Sequence, residues 1–266
     1  MSDLAVVFQA AEEFERVRRA LDAAGAAWRA VAPPPAVADV AAPYLVIPDA
    51  SRAALHAAIR AGAVIAGQVP YREPLAEALA DLGPEPPPGA ADVVGRIAIT
   101  LVAPCVAADG YLRLAAQVEG DLAPVMPYLN AVTPAGAYSP PGPTFTLMDG
   151  PRLVNLFPHR AAVARARDLP DAWRTLARLK RRVNALWARR DTIVPVAERR
   201  MGIGALEVYS RLPRTNCRAC GEATCLAFAV RLLIGEQRLE KCAPVFGGEF
   251  ERLREALVDI AAGLGL

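Results

Sequence analysis

An α+β fold is predicted, and three features of the sequence predict it. Between residues 4 and 69, short apolar runs alternate with amphipathic helical stretches in the order of a ferredoxin-like βαβ/βαβ unit. From 93 to 157 the pattern changes to period-two alternation, as in half-buried strands. Beyond residue 168 the helical period returns, and four of the five cysteines fall within 26 residues of that region.

The first domain is assigned to residues 1–82. Leu4–Gln9 reads as a strand, and residues 10–24 as a helix with Phe14, Val17 and Leu21 on one stripe and Gly25 as its stop. Residues 27–31 and Tyr44–Ile47 are further strands, separated by a loop that begins at Pro33-Pro34-Pro35. Asp49 or Ser51 is placed to cap a helix carrying Leu55 and Ile59 and ended by Gly62; Val64–Val69 is the last strand. Leu75–Leu82 is expected to add a helix. The sequence Q-A-A-E-E after the first strand offers no glycine-rich phosphate loop, which disfavours nucleotide binding.

Residues 83–89, Gly-Pro-Glu-Pro-Pro-Pro-Gly, form a stiff extended linker and mark a domain boundary. The next region, 90–200, reads as β-rich and ends in a long basic helix. Strands are expected over Val93–Val102 and Tyr111–Val118. A hairpin is expected over Thr144–Met148 and Arg152–Phe157, turning at Asp149-Gly150. Residues 124–138, punctuated by proline and glycine, are expected to be irregular. Asp168-Leu169-Pro170 opens a helix to about Arg189, with Trp173, Leu176, Leu179, Val183 and Leu186 at core spacing.

Residues 201–266 read as a small helical module. A short helix over 204–212 is expected to turn Leu206 and Tyr209 inward. A cysteine loop follows, then a helix over 226–234 presenting Phe228, Ala229, Leu232 and Leu233 and stopped by Gly235. A final helix over 249–263 carries Phe250, Leu253, Leu257 and Ile260 inward.

Composition excludes several classes. Apolar residues make up 54%, yet no uncharged apolar run reaches 18 residues, so no membrane span is expected. The first residues lack the pattern of a signal peptide, and a cytoplasmic protein is expected. The net charge of +2 conceals an asymmetry: residues 152–218 hold 16 Arg and Lys against 5 Asp and Glu. This segment reads either as a solvated helix face or as a surface that steers an acidic partner. Nucleic acid is not expected, because neither interleaved aromatics nor a groove-reading motif accompanies the charge. His56 and His159 are the only histidines, and each reads as a surface or packing residue. No Ser/His/Asp or H-x-E arrangement supports hydrolase chemistry, and no catalytic residue is assigned. Cys105 stands apart and reads as a lone buried thiol.

The other four, Cys217, Cys220, Cys225 and Cys242, fall as C-x2-C-x4-C-x16-C. Three close thiols can wrap one side of a cubane, and a fourth returning after a helix-sized insert can close it. Gly221 is suited to the positive φ that such a loop needs, and Thr224 with nearby N–H groups is placed to donate to cluster sulfurs. A structural zinc site is the alternative for four cysteines, but such sites usually pair two C-x2-C knuckles, and only one is present.

The run G-A-L-E-V-Y-S-R-L-P-R-T-N-C-R-A-C-G-E-A-T-C-L-A-F-A-V, followed by C-A-P, resembles the four-iron cluster domain of the corrinoid iron–sulfur protein large subunit. Relatives of that domain also occur in Rnf-type electron-transport complexes. The resemblance covers about residues 204–245 and implies a [4Fe–4S] cluster on Cys217, Cys220, Cys225 and Cys242. Arg218 stands where that family usually has glycine, and the corrinoid-binding barrel that normally follows is missing, so no corrinoid is implied. Electron transfer or a redox-accessory role is therefore expected, rather than stand-alone catalysis. The client would be an acidic redox partner such as a corrinoid protein or a nitrogenase-like reductase. The second reading is a cluster-stapled binding or redox-sensing module that engages an acidic protein or nucleic acid through its arginines.

Overall fold

A computed structural model describes residues 3–74, 79, 81–89, 91–106, 108–200, 204–234 and 236–258. The chain forms two compact units, each assembled from two stretches. One joins Met1–Val125 with Leu156–Arg190; the other joins Met126–Asn155 with Asp191–Leu266.

The first unit begins with β1 (Leu4–Val7), α1 (Ala11–Ala23), β2 (Arg29–Val31), β3 (Tyr44–Ile47), α2 (Arg52–Arg60) and β4 (Gly67–Pro70). The sheet order is β2-β3-β1-β4, with every pair antiparallel. With its βαββαβ chain order, this is the ferredoxin-like arrangement expected from the sequence. Val17 and Leu21 of α1 and Leu55 and Ala58 of α2 bury against Val6, Phe8, Leu45 and Ile47 of the sheet. Gly25 ends α1 in the left-handed region, φ 61°, where a Cβ would be strained.

Two local expectations fail here. Neither Asp49 nor Ser51 caps α2: the Ser51 hydroxyl donates to the Ala27 carbonyl (2.6 Å) and Asp49 pairs with Arg52 (2.7 Å). The last strand starts at Gly67 rather than Val64, and the Val102 carbonyl oxygen approaches Gly67 so closely that no Cβ fits there. The helix expected over 75–82 falls largely outside the described residues.

After the 83–89 segment, which forms neither helix nor strand, β5 (Val94–Pro104) and β6 (Leu112–Gly120) pair antiparallel in the first unit. The chain then builds α3 (Met126–Val132), β7 (Ala137–Ser139), β8 (Thr144–Asp149) and the start of β9 (Arg152–Phe157) in the second unit. The expected hairpin turns at Gly150, φ 57°, and the Thr146 hydroxyl donates to the Asn155 side chain (2.7 Å). Residues 124–138 are not irregular throughout, because α3 lies within them and β7 begins there. Pro127 sits in the first turn of α3, where its missing N–H costs no helical bond.

Back in the first unit, β10 (Arg160–Ala166) pairs antiparallel with β6, and Arg165 forms a bulge at φ 66°. The His159 ring donates from Nδ1 to the Gly120 carbonyl (2.7 Å), a packing role as expected. Helix α4 (Leu169–Ala188) is capped by Asp168, whose side chain accepts from the Asp171 N–H (2.8 Å). The buried Asn184 side chain bonds both the N–H and the carbonyl of Val94, tying α4 to β5. Three basic residues of α4 are turned onto carboxylates of the same unit. Lys180 meets Asp39 (2.6 Å), Arg181 meets Glu85 (3.4 Å), and Arg178 pairs with Asp81.

In the second unit, α3 anchors the chain that leads to the cysteine region. Buried Asn130 donates to the carbonyls of Val196 and Glu198, and the Arg200 guanidinium donates to the carbonyl of Asn130. Beyond residue 203 come α5 (Ala205–Ser210), α6 (Cys225–Leu233) and α7 (Ala243–Phe246). Residues 251–253 form a 3-10 turn that continues as helix through 258, and Ile260, expected inward, lies outside the described residues. No helix among the described residues is long and apolar enough to cross a membrane.

Candidate functional site

The cysteine region is built on a small core of its own. Val208 and Leu212 from the α5 segment, Phe228, Ala229 and Leu232 from α6, and Leu239, Val245 and Leu257 are all buried together. Burying this many apolar side chains is what holds so short a segment in one shape, since isolated helices of six to nine residues are unstable in water. Leu206 departs from the expectation: it is 72% exposed, while Tyr209 packs partly against the core as expected.

The loop between α5 and α6 is unusual in its backbone. Arg214, Asn216 and Arg218 all lie at positive φ (61°, 51° and 61°), followed by Gly221 at 87°. Left-handed residues coil the chain tightly, so Cys217 and Cys220 stand at one bend. Gly221 is needed for its φ and not for space, since a Cβ there would meet nothing within 4 Å. The turn is closed by the Gly221 N–H donating to the Arg218 carbonyl (2.9 Å).

Two side chains fasten this loop to the start of α6. The Asn216 amide oxygen accepts from the Cys225 N–H (2.8 Å), and Thr224 accepts from the Ala227 N–H (3.0 Å). Both amides belong to the first turn of α6, where no intrahelical partner exists. Thr224, expected to donate to a cluster, gives its oxygen to the helix cap, which leaves the hydroxyl proton free to donate. On the other side Gln237 donates to the Cys220 carbonyl (3.3 Å) and to Glu222 (2.9 Å), and Glu222 pairs with Arg231 (3.1 Å). Cys242 follows a 3-10 turn and immediately precedes α7. Pro244 lies in the first turn of α7, where proline suits a helix.

Cys217, Cys220, Cys225 and Cys242 line one cavity, together with Leu212, Arg218, Phe228 and Pro244. Its empty space is about 320 Å³, part of it open to solvent. Cys225 and Cys242 are buried, Cys220 is half-buried and Cys217 is exposed, so the cavity has a closed inner wall and an open corner. Burial pushes the Cys242 thiol up to about 11. The Val245 N–H opposes that shift, and the neighbouring Cys225, Cys220 and Cys217 add to it. Among the described residues no group of three or more His, Cys, Asp and Glu stands close enough to hold a single metal ion. Four thiols around one small cavity match the donor set of an iron–sulfur cluster, for which soft thiolate ligands are preferred. The helix start at Cys225 also favours negative charge at this place.

Asn216, Glu222 and Gln237 carry no role that the sequence alone assigns. The only signal for Asn216 is its place directly before the first cysteine. Cys105 is buried after β5 and belongs to the other unit.

Comparison with known proteins falls on this segment. The family described as "Putative Fe-S cluster" matches residues 212–244. The acetyl-CoA decarbonylase/synthase complex subunit gamma of Methanothermobacter thermautotrophicus is 42% identical over 57 residues, 21% of this chain and 12% of that protein. The corrinoid/iron–sulfur protein large subunit of Moorella thermoacetica is 44% identical over 62 residues, 23% of this chain and 13% of that protein. The subunit gamma of Methanosarcina acetivorans is 50% identical over 40 residues, 15% of this chain and 8% of that protein. The chain thus spans about an eighth or less of the length of these relatives. No solved structure matches significantly. Residues 212–244 thus match an iron–sulfur cluster family, and this C-terminal segment is homologous to segments of the acetyl-CoA decarbonylase/synthase gamma subunit and of the corrinoid/iron–sulfur protein large subunit.

Proposed function

We propose that Cys217, Cys220, Cys225 and Cys242 hold one [4Fe–4S] cluster, and that the protein serves low-potential electron transfer or acts as the redox accessory of a metalloenzyme or corrinoid system. The observation that carries this reading is the shared cavity: four thiols from separate pieces of the loop, α6 and the return segment rim one space. With four cysteine ligands such a cluster has no vacant iron, and the chemistry it supplies is one-electron transfer.

The chain's own residues would bind and shield it. Phe228 and Pro244 close the inner wall against water, and the core beneath them fixes Cys225 and Cys242. Asn216 and Gln237 hold the outer loop by its backbone, so Cys217 and Cys220 keep their spacing when the site is filled. The exposed side at Cys217 leaves an approach for a partner protein. The relatives named for a corrinoid protein and for a synthase complex favour a corrinoid- or metal-bearing partner. A nitrogenase-like reductase is the other client, and the location would be the cytoplasm.

The test is a potentiometric titration of anaerobically reconstituted protein followed by EPR. Reversible one-electron reduction near the ~−400 mV of ferredoxins is expected. A cluster that cannot be reduced without loss of the fold would make it a structural staple and overturn the electron-transfer reading.

A further inference from the structure

We infer that the Cys217–Arg218 corner is the docking point for an acidic electron-transfer protein, with Arg218 as its recognition cation. This rests on the cluster reading and adds the place and chemistry of contact.

The charges around the cavity carry the inference. Two charged residues line it, Arg218 and Glu222. Glu222 is engaged, since Arg231 pairs with it at 3.1 Å and Gln237 donates to it at 2.9 Å. Arg218 is exposed, and its guanidinium has neither an ion-pair nor a hydrogen-bond partner among the described residues. The rim therefore presents one positive charge with no carboxylate partner among the described residues, next in sequence to the only fully exposed thiol of the four. The nearby Arg214 does not share this role: it bonds the Ser210 carbonyl (2.9 Å) and lies over the Tyr209 ring (5.6 Å).

The backbone adds a second argument. Arg218 holds φ 61°, a conformation that costs a non-glycine residue and that glycine adopts freely. An unpaired arginine at a strained position gains nothing for the fold, and strain of this kind is retained where it serves contact with another molecule. An acidic surface fits best, because it supplies the carboxylates that Arg218 lacks in its own chain. Leu226 and Val230, one turn apart on the helix that starts at Cys225, remain 39% and 44% exposed. Exposed apolar side chains on the helix that starts at one of the four cysteines give this unit the mixed composition of a transient protein interface.

The experiment uses the full chain, reconstituted anaerobically, and a reduced acidic two-iron ferredoxin as the probe. Second-order reduction rates are measured against ionic strength for wild type, Arg218→Gly, Arg218→Glu and, as a control, Arg19→Gln. Arg218→Gly suits the left-handed backbone, so a slower rate cannot be laid to misfolding. The wild-type rate should fall steeply with salt. Arg218→Gly should slow it by roughly 3–10-fold at low salt and flatten the salt slope. Arg218→Glu should slow it further, and Arg19→Gln should leave it unchanged. A second readout needs no cluster. In the apo protein, Arg218→Glu should slow Cys217 more toward an anionic aromatic disulfide than toward neutral iodoacetamide. Equal rates and equal salt slopes for wild type and Arg218→Glu overturn the inference. A preparation without iron and sulfide would instead defeat the cluster reading itself, so the two failures are distinguishable.

Discussion

Replacing Asn216 with alanine should loosen the start of α6 more than any other single change in the cysteine loop. Two effects add. The substitution removes the acceptor of the Cys225 N–H, now bonded at 2.8 Å, and that amide has no helical partner to fall back on. Leaving it unmet costs about 1–2 kcal/mol. Alanine must also hold φ near 51°, where asparagine is tolerated and alanine is strained by about 1 kcal/mol. Together these amount to about 2–3 kcal/mol, which corresponds to roughly 30–150-fold faster local opening. Hydrogen–deuterium exchange on peptides covering 225–233 of the apo chain reads this directly. Asn216→Gly relieves the backbone and loses only the bond, so it should fall between alanine and wild type. Asn216→Asp keeps an acceptor and should stay within about threefold of wild type. Exchange in Asn216→Ala equal to wild type would refute the reasoning. Equal exchange in the alanine and glycine variants would refute its backbone half.

Three further outcomes follow from the same geometry. In apo protein, iodoacetamide should label Cys217 first and Cys225 and Cys242 last, because the latter two are buried and the Cys242 thiol sits at about 11; mass mapping of partial labelling checks the order. Phe228→Ala should cost the cysteine region about 3–4 kcal/mol, since the ring is 1% exposed in its core, and the reconstituted variant should lose its visible absorption faster in air. Burial, with Tyr71 and Asp168 adding to it, holds the Tyr44 hydroxyl above the ordinary tyrosine value. The unfolded chain therefore loses this proton first, so the contribution of Tyr44 to stability is whole below about pH 10 and fades above it. Urea midpoints should drop more between about pH 8 and 10.5 in wild type than in Tyr44→Phe.

The ferredoxin-like order was legible because each of its elements carries a local signal. Val17 and Leu21 keep helical spacing, Tyr44–Ile47 is a compact apolar run, and Gly25 and Gly62 stop the helices at positive φ. The cysteine spacing was legible for a similar reason: three ligand positions within nine residues are a local pattern. What stayed hidden depends on contacts between distant residues. Strand β10 reads R-A-A-V-A-R-A, where alanine gives no β preference, and only pairing with β6 makes it a strand. Helix α3 was masked by Pro127, although a proline in the first turn does not break a helix. Leu206 has the right spacing to face inward, yet α5 is a single short helix, and Val208 with Leu212 fills the core instead. The basic character of α4 suggested a surface for a partner, but carboxylates at 39, 81 and 85, far away in sequence, meet it. The assembly of each unit from two separate stretches has no linear signature at all.

Native mass spectrometry of the chain after anaerobic reconstitution bears most directly on the four-cysteine cluster. A mass gain of four iron and four sulfide per chain, abolished by Cys242→Ala, is the predicted result. A gain of one zinc, or an iron gain that Cys242→Ala leaves intact, would contradict it.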